Sequence, residues 1–128
     1  MRFFTVVLGV FLLAGCASLG TVSNARGHGH SRIYNFPYQK VWEAAPKTMS
    51  ALNLSIGAID EKEGKIVADT PITGFSYGEV VAVFVDKVDE THTRVEVVSR
   101  KKLATNIFAY SYQDRILDDL SRQLGEKS

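Results

Sequence analysis

The chain has a single cysteine in 128 residues, so it can close no internal disulfide and build no cysteine-rich zinc site. It also has almost no charge of one sign in excess. Fifteen Lys and Arg against fourteen Asp and Glu give a formal +1, which does not provide the basic surface that nucleic acid requires. No apolar run is long enough to cross a bilayer. The longest, Phe3 to Ala14, would make a helix of roughly 18 Å against a hydrocarbon core of ~30 Å. What remains, 45 % hydrophobic and 23 % charged, is the composition of one folded domain and not of a disordered chain.

The first residues have the three parts of an export signal: a charged tip in Met1 and Arg2, the apolar run, and small residues before Cys16. The stretch Leu13-Ala14-Gly15-Cys16 resembles the bacterial lipobox. That resemblance implies a lipid on the Cys16 sulfur and cleavage just before it, with Leu13, Ala14 and Gly15 recognised by the signal peptidase. Residues 1–15 are then a signal peptide, and losing Arg2 leaves fourteen basic against fourteen acidic side chains. Three acyl chains at ~0.8 kcal/mol per buried CH₂ form an effectively permanent membrane anchor. Ala17 in place of Asp after the cysteine implies transfer to the outer membrane, facing the periplasm.

Residues 16–31 read as the lipidated cysteine and a flexible tether, since ASLGTVSNARGHGHS has no apolar periodicity. Its r.m.s. reach would be roughly 20 Å, and ~50 Å when stretched. Deleting Ala17 to His30 should then leave the melting temperature of the domain unchanged. The pair His28 and His30 lacks converging ligands, so no metal is expected, and no cofactor either.

A single α+β domain is expected over residues 32–126. Arg32 to Phe36 reads as a strand, with Phe36 held extended by Pro37, which opens a helix. Along that helix Tyr38, Val41, Trp42, Ala45, Met49 and Leu52 form one apolar stripe. Pro46 interrupts it and predicts a kink or an early end. Leu54 to Ile59 and Lys65 to Thr70 read as strands around the charged tip Asp60 to Gly64, where glycine supplies a positive φ.

Glu79 to Val88 and Thr93 to Ser99 form the clearest hairpin. In its second strand Arg94 and Glu96 alternate with Val95 and Val97, predicting one wet face. Its first strand is apolar on both faces, so it is either central or meets something outside the chain. Ser111 to Leu124 reads as a helix buried along Tyr112, Ile116, Leu117, Leu120 and Leu124. The order β-α-β-β-β-β-α predicts a two-layer fold, an antiparallel sheet of about five strands with both helices on one face.

Two segments carry aromatic and apolar side chains beyond what loops require: Ile72, Phe75 and Tyr77, then Ile107, Phe108 and Tyr110. They either close a small core or bind a partner. Arg100, Lys101 and Lys102 form a basic run, read as a loop able to touch lipid headgroups.

The run Phe36-Pro37-Tyr38-Gln39-Lys40-Val41-Trp42-Glu43-Ala44, then Leu54-Ser55-Ile56, Asp60 to Gly64, the Val-rich hairpin and the terminal helix resemble small bacterial lipoproteins akin to the BamC/NlpB helix-grip domains. The resemblance covers Arg32 to Leu124 and implies a fold and an envelope scaffold, with no catalytic residue. A non-catalytic module that binds another envelope protein is the expected function. The alternative is a carrier holding an apolar ligand under the helices, and a hydrolase is disfavoured because no nucleophile stands beside a base.

Overall fold

A computed structural model describes residues 26–27, 29–71, 78–101 and 112–125. Five strands and two helices follow in the order β1 (His30–Tyr34), α1 (Tyr38–Ala51), β2 (Ser55–Asp60), β3 (Lys65–Asp69), β4 (Glu79–Lys87), β5 (Thr93–Lys101) and α2 (Tyr112–Leu124). The sheet is antiparallel in the order β1-β5-β4-β3-β2, so the fold is α+β as its sequence pattern predicts.

The first two strands are opposite edges of the sheet, and α1 must carry the chain across it. Its fourteen residues span roughly 21 Å, which matches four strand spacings of ~4.8 Å. α1 lies over β4 and β2, and α2 lies over β5 and β1. Between these layers Val41, Met49, Ile116, Leu117 and Leu120 meet Ile66, Val81, Val83, Val95 and Val97, each at most 2 % exposed. Tyr34 is fully buried in the same core, and its hydroxyl donates to the Leu117 carbonyl at 2.6 Å.

Local signals set the element ends. Asn53, at φ 64°, ends α1 in a left-handed turn, with its N–H on the Ser50 carbonyl and the Leu54 N–H on the Met49 carbonyl. Gly64 takes φ +63° between β2 and β3, and a Cβ there would lie 2.4 Å from the Val85 carbonyl oxygen. That glycine answers to both the turn and the neighbouring backbone. Gly57 sits where the β2–β3 register shifts, a bulge that discourages further strands from adding to this edge.

Three differences from the sequence reading have physical reasons. β1 starts at His30 and ends at Tyr34, because the chain must leave the sheet plane to enter α1, and the Phe36 carbonyl accepts instead from the Thr93 hydroxyl. Pro37 is the residue before the first helical turn, not its first member, and its carbonyl accepts from Lys40 and Val41. α1 also runs on through Pro46 to Ala51, since its buried stripe continues past the proline with Thr48 and Met49.

Pro46 leaves the Trp42 carbonyl without its helical donor. Pro46→Ala is expected to stabilise the domain by about 1–2 kcal/mol, the ~3 kcal/mol helix penalty being partly offset by a freer unfolded chain. Urea unfolding checks this, and a loss of stability would show that the ring is required by its packing.

Candidate functional site

The face of the sheet turned away from the helices has its own apolar cluster: Val67, Val80, Ala82, Phe84 and Val98. It arises because β4 is central and apolar on both sides, with Ala82 opposite Val98 and Phe84 opposite Glu96. Glu96, read from the alternation as part of a wet face, is 0 % exposed. A carboxylate so placed needs strong donors.

Those donors come from the chain just before β1. The Gly27 N–H lies 2.8 Å from both Glu96 carboxylate oxygens, and the Gly29 N–H donates to Oε2 at 2.9 Å. Arg94 adds a guanidinium 3.8 Å from Oε1. One residue before Gly27, the Arg26 guanidinium pairs with both Asp86 oxygens, donates to the Glu63 carbonyl at 2.7 Å and lies 4.5 Å from the Phe84 ring centre. The segment is thus fastened to the β2–β3 turn, β4 and β5 through one arginine and two backbone amides.

The two glycines serve different ends. Gly27 has φ +95° with open space around it, so its backbone conformation is the requirement. At Gly29 the requirement is room: a Cβ would stand 2.2 Å from the Val97 carbonyl oxygen and 2.7 Å from a Val98 methyl. Residues 26, 27 and 29–31, assigned to the tether by composition, therefore belong to the fold. The rest of the tether, together with the signal residues and Cys16, lies outside the described residues.

One end of the sheet gathers this fastening. The β2–β3 turn at Glu61–Gly64, the β4–β5 turn at Val88–His92 and the start of α1 all lie there with Arg26. Burial raises the Tyr38 hydroxyl above the ordinary tyrosine range, with Glu61 and Asp86 adding to the shift and Arg26 opposing it. In the β4–β5 turn Asp89 is held below the ordinary carboxylate range by the Thr91 amide and by His92. Its contribution to the turn is therefore present above the ordinary value and is lost as pH falls through the lowered one.

The trio Asp89, Thr91 and His92 is not a catalytic relay. Both Asp89 and the Thr91 hydroxyl contact the same ring nitrogen, Nδ1, at 2.8 and 3.0 Å, whereas a relay needs the carboxylate and the nucleophile on opposite nitrogens of the histidine base. His30 pairs with Asp114 at 2.9 Å. Among the described residues no three His, Cys, Asp or Glu side chains converge as metal ligands.

The far end of the sheet holds the remaining candidates. Pro71, Gly78, Lys101 and Tyr112, from which residues 72–77 and 102–111 depart and return, cluster around the end where Glu79 pairs with Lys101. Ile72, Phe75, Tyr77, Phe108, Tyr110 and Lys102 themselves lie outside the described residues. Arg100 and Lys101 belong to β5 and not to a loop, and the Arg100 guanidinium donates to the Ser99 carbonyl at 3.2 Å. Glu79, 3 % exposed, accepts from the Ser99 hydroxyl, while the Thr70 hydroxyl accepts from the Glu79 N–H at 2.6 Å. Among the described residues, a groove of about 300 Å³ lies on the solvent side of the helices between Thr48, Ala51, Asp119, Arg122 and Gln123.

Removing Glu96 leaves the part-buried Gly27 and Gly29 amides without their acceptor. Glu96→Ala is expected to cost about 2–4 kcal/mol in urea unfolding, and Gly29→Ala to produce a similar loss through its clash. Both should speed tryptic cleavage after Arg26 at least tenfold under native conditions, whereas truncation before Arg26 should leave the melting temperature unchanged. Cleavage at the wild-type rate in both variants would show that the segment is not held by this clamp. In comparisons with known proteins, no family model matches the chain and no curated protein matches its sequence.

Proposed function

We propose that the chain is a lipid-anchored, non-catalytic lipoprotein of the bacterial envelope that holds a protein-binding end away from the membrane, most simply the outer membrane seen from the periplasm. The observation that carries this reading is the opposition of two ends. Arg26, ten positions after the lipobox cysteine, is fastened at one end of the sheet, and the two aromatic segments depart from the other. β4 alone, nine residues long, separates those ends by roughly 30 Å.

The fastening adds stiffness to the reading. A chain that turned flexible at Cys16 and firm only at Arg32 would let the domain tumble about the anchor. With Arg26 and Gly27 bound to Asp86 and Glu96, at most about 35 Å of chain joins Cys16 to the fold. The described polar side chains also favour a structural role, since Glu96, Asp86, Arg32 and Asp118 are engaged in cross-element pairs. A BamC-like helix-grip relationship is part of this proposal and accounts for the helices packed across one face of the sheet. The carrier reading has less support, because Met49, Ile116, Leu117 and Leu120 fill the layer between helices and sheet.

Two measurements test the proposal. Cys16→Ser should abolish the lipid mass on the mature chain and release it from membranes, and retention after a high-salt wash would defeat the anchor. Photo-crosslinking in cells from Phe75, Tyr77 and Tyr110 should give one dominant protein adduct, identified by mass spectrometry. Lipid adducts would favour the carrier.

A further inference from the structure

The two edges of the sheet are not equally protected. β2 has its register shift at Gly57, whereas β1 pairs with β5 in unbroken register from His30 to Tyr34. Nor does β1 contain a proline or a lysine, the residues that ordinarily keep an edge from pairing further. Its one arginine, Arg32, is turned to α2, where it meets Asp118 and Ser121.

The ladder decides which backbone groups of β1 face outward. The Val88 N–H donates to the His92 carbonyl at 3.0 Å, and bonded pairs alternate along an antiparallel ladder, so Asp86 with Arg94 and Phe84 with Glu96 are the next bonded pairs. Thr93, Val95 and Val97 therefore turn their backbone groups to β1, where they meet Tyr34, Arg32 and His30. Ser31 and Ile33 are left with N–H and C=O groups that have no partner among the described residues. Both side chains are exposed, and Ile33, at 55 %, is on the sheet face that carries Arg94 and Glu96.

We infer that β1 pairs antiparallel with β1 of a second copy of this chain, about a two-fold axis at Ile33. In that register each Ile33 lies opposite its own copy, and the two exchange both N–H···O bonds while their side chains cover each other. A two-fold at Arg32 would instead set two arginines face to face, which a ladder disfavours. On the helix side Arg32 and Asp118 form a pair beside the axis, 2.9 Å apart and neutral in sum. Symmetry brings two such pairs together with neither sign in excess, so the edge is complementary to itself and not to a strongly acidic or basic partner. Two five-residue strands bury much less than the ~1,600 Å² of a standard stable interface, and the association is accordingly weak in dilute solution. A shared membrane would strengthen it by raising the local concentration, although the edge geometry does not rest on the lipid-anchor reading.

Covalent capture reads such a pair. Ile33→Cys, Ser31→Cys and Ile59→Cys, each in the full chain in whole cells, are oxidised with copper phenanthroline beside the wild type, whose one cysteine is Cys16. Bonded residues directly opposite each other stand ~5.5 Å apart at Cα, within disulfide reach, whereas the two copies of residue 31 would be roughly 14 Å apart. The disulfide dimer from position 33 is expected to exceed that from 31, from 59 and from the wild type at least tenfold. Adding Ser31→Pro to Ile33→Cys should reduce it at least tenfold with the circular dichroism spectrum unchanged, because that N–H is not used in the ladder with β5. Equal yields at 33 and 59, or a folded proline variant that keeps its dimer, overturn the inference. Capture of position 33 only by a different protein also overturns it. Dimer in the wild type reports an unlipidated Cys16 and counts against the anchor alone, since the excess at position 33 is read above it.

Discussion

A strand that is apolar on both faces has to be covered twice, and β4 imposes that demand on the whole molecule. On one side Val81, Val83 and Val85 are met by the two helices, which accounts for the length of α1 and for its crossing from edge to edge. On the other side Val80, Ala82 and Phe84 join Val67 and Val98, and Arg26 lies over the Phe84 ring. Helix cover is the ordinary device of a two-layer fold. The segment Arg26 to Gly29 is the less ordinary part, since it has no helix or ladder of its own and is held at a few points only.

Much of the architecture was legible because it rests on periodicity. The stripe in α2 and the alternation in β4 each specify a face regardless of what lies opposite, and Gly64 and Asn53 mark turns by backbone conformation alone. The N-terminal segment follows no such rule. Gly27 and Gly29 contribute amides and not side chains, and the acceptor is 69 and 67 positions away, so composition alone makes the stretch look like a linker. One signal did exist. Glu96 stands between Val95 and Val97 and opposite Phe84, a position where a carboxylate needs donors from somewhere else in the chain. Pro46 shows the converse case, a strong local signal overridden by packing that continues past it.

The two ends of the sheet acquire different characters from the same topology. Hairpin turns and the entry to α1 collect at one end, where short connections leave little room for core-forming loops. At the other end, beside Pro71, Gly78 and Lys101, the buried Thr70 and Glu79 and the half-buried Ser99 form a polar seam. A meander with one edge strand supplied from the N-terminus has this asymmetry built into it. The polarity of the molecule thus follows from strand order before any partner or membrane is considered.

The choice of a carboxylate at position 96 follows from the geometry of that N-terminal segment. Beyond β1 the chain leaves the edge and crosses the sheet face, so its N–H groups at Gly27 and Gly29 point at side chains and no longer at a neighbouring backbone. An apolar residue beneath them would leave both part-buried amides without their acceptor and release the segment from the sheet. A neutral amide side chain would offer one acceptor oxygen for two donors. A carboxylate accepts both with lone pairs to spare, and the nearby Arg94 reduces the penalty of its charge. The residue least expected in a valine-rich strand is the one whose chemistry lets a glycine segment join the domain there.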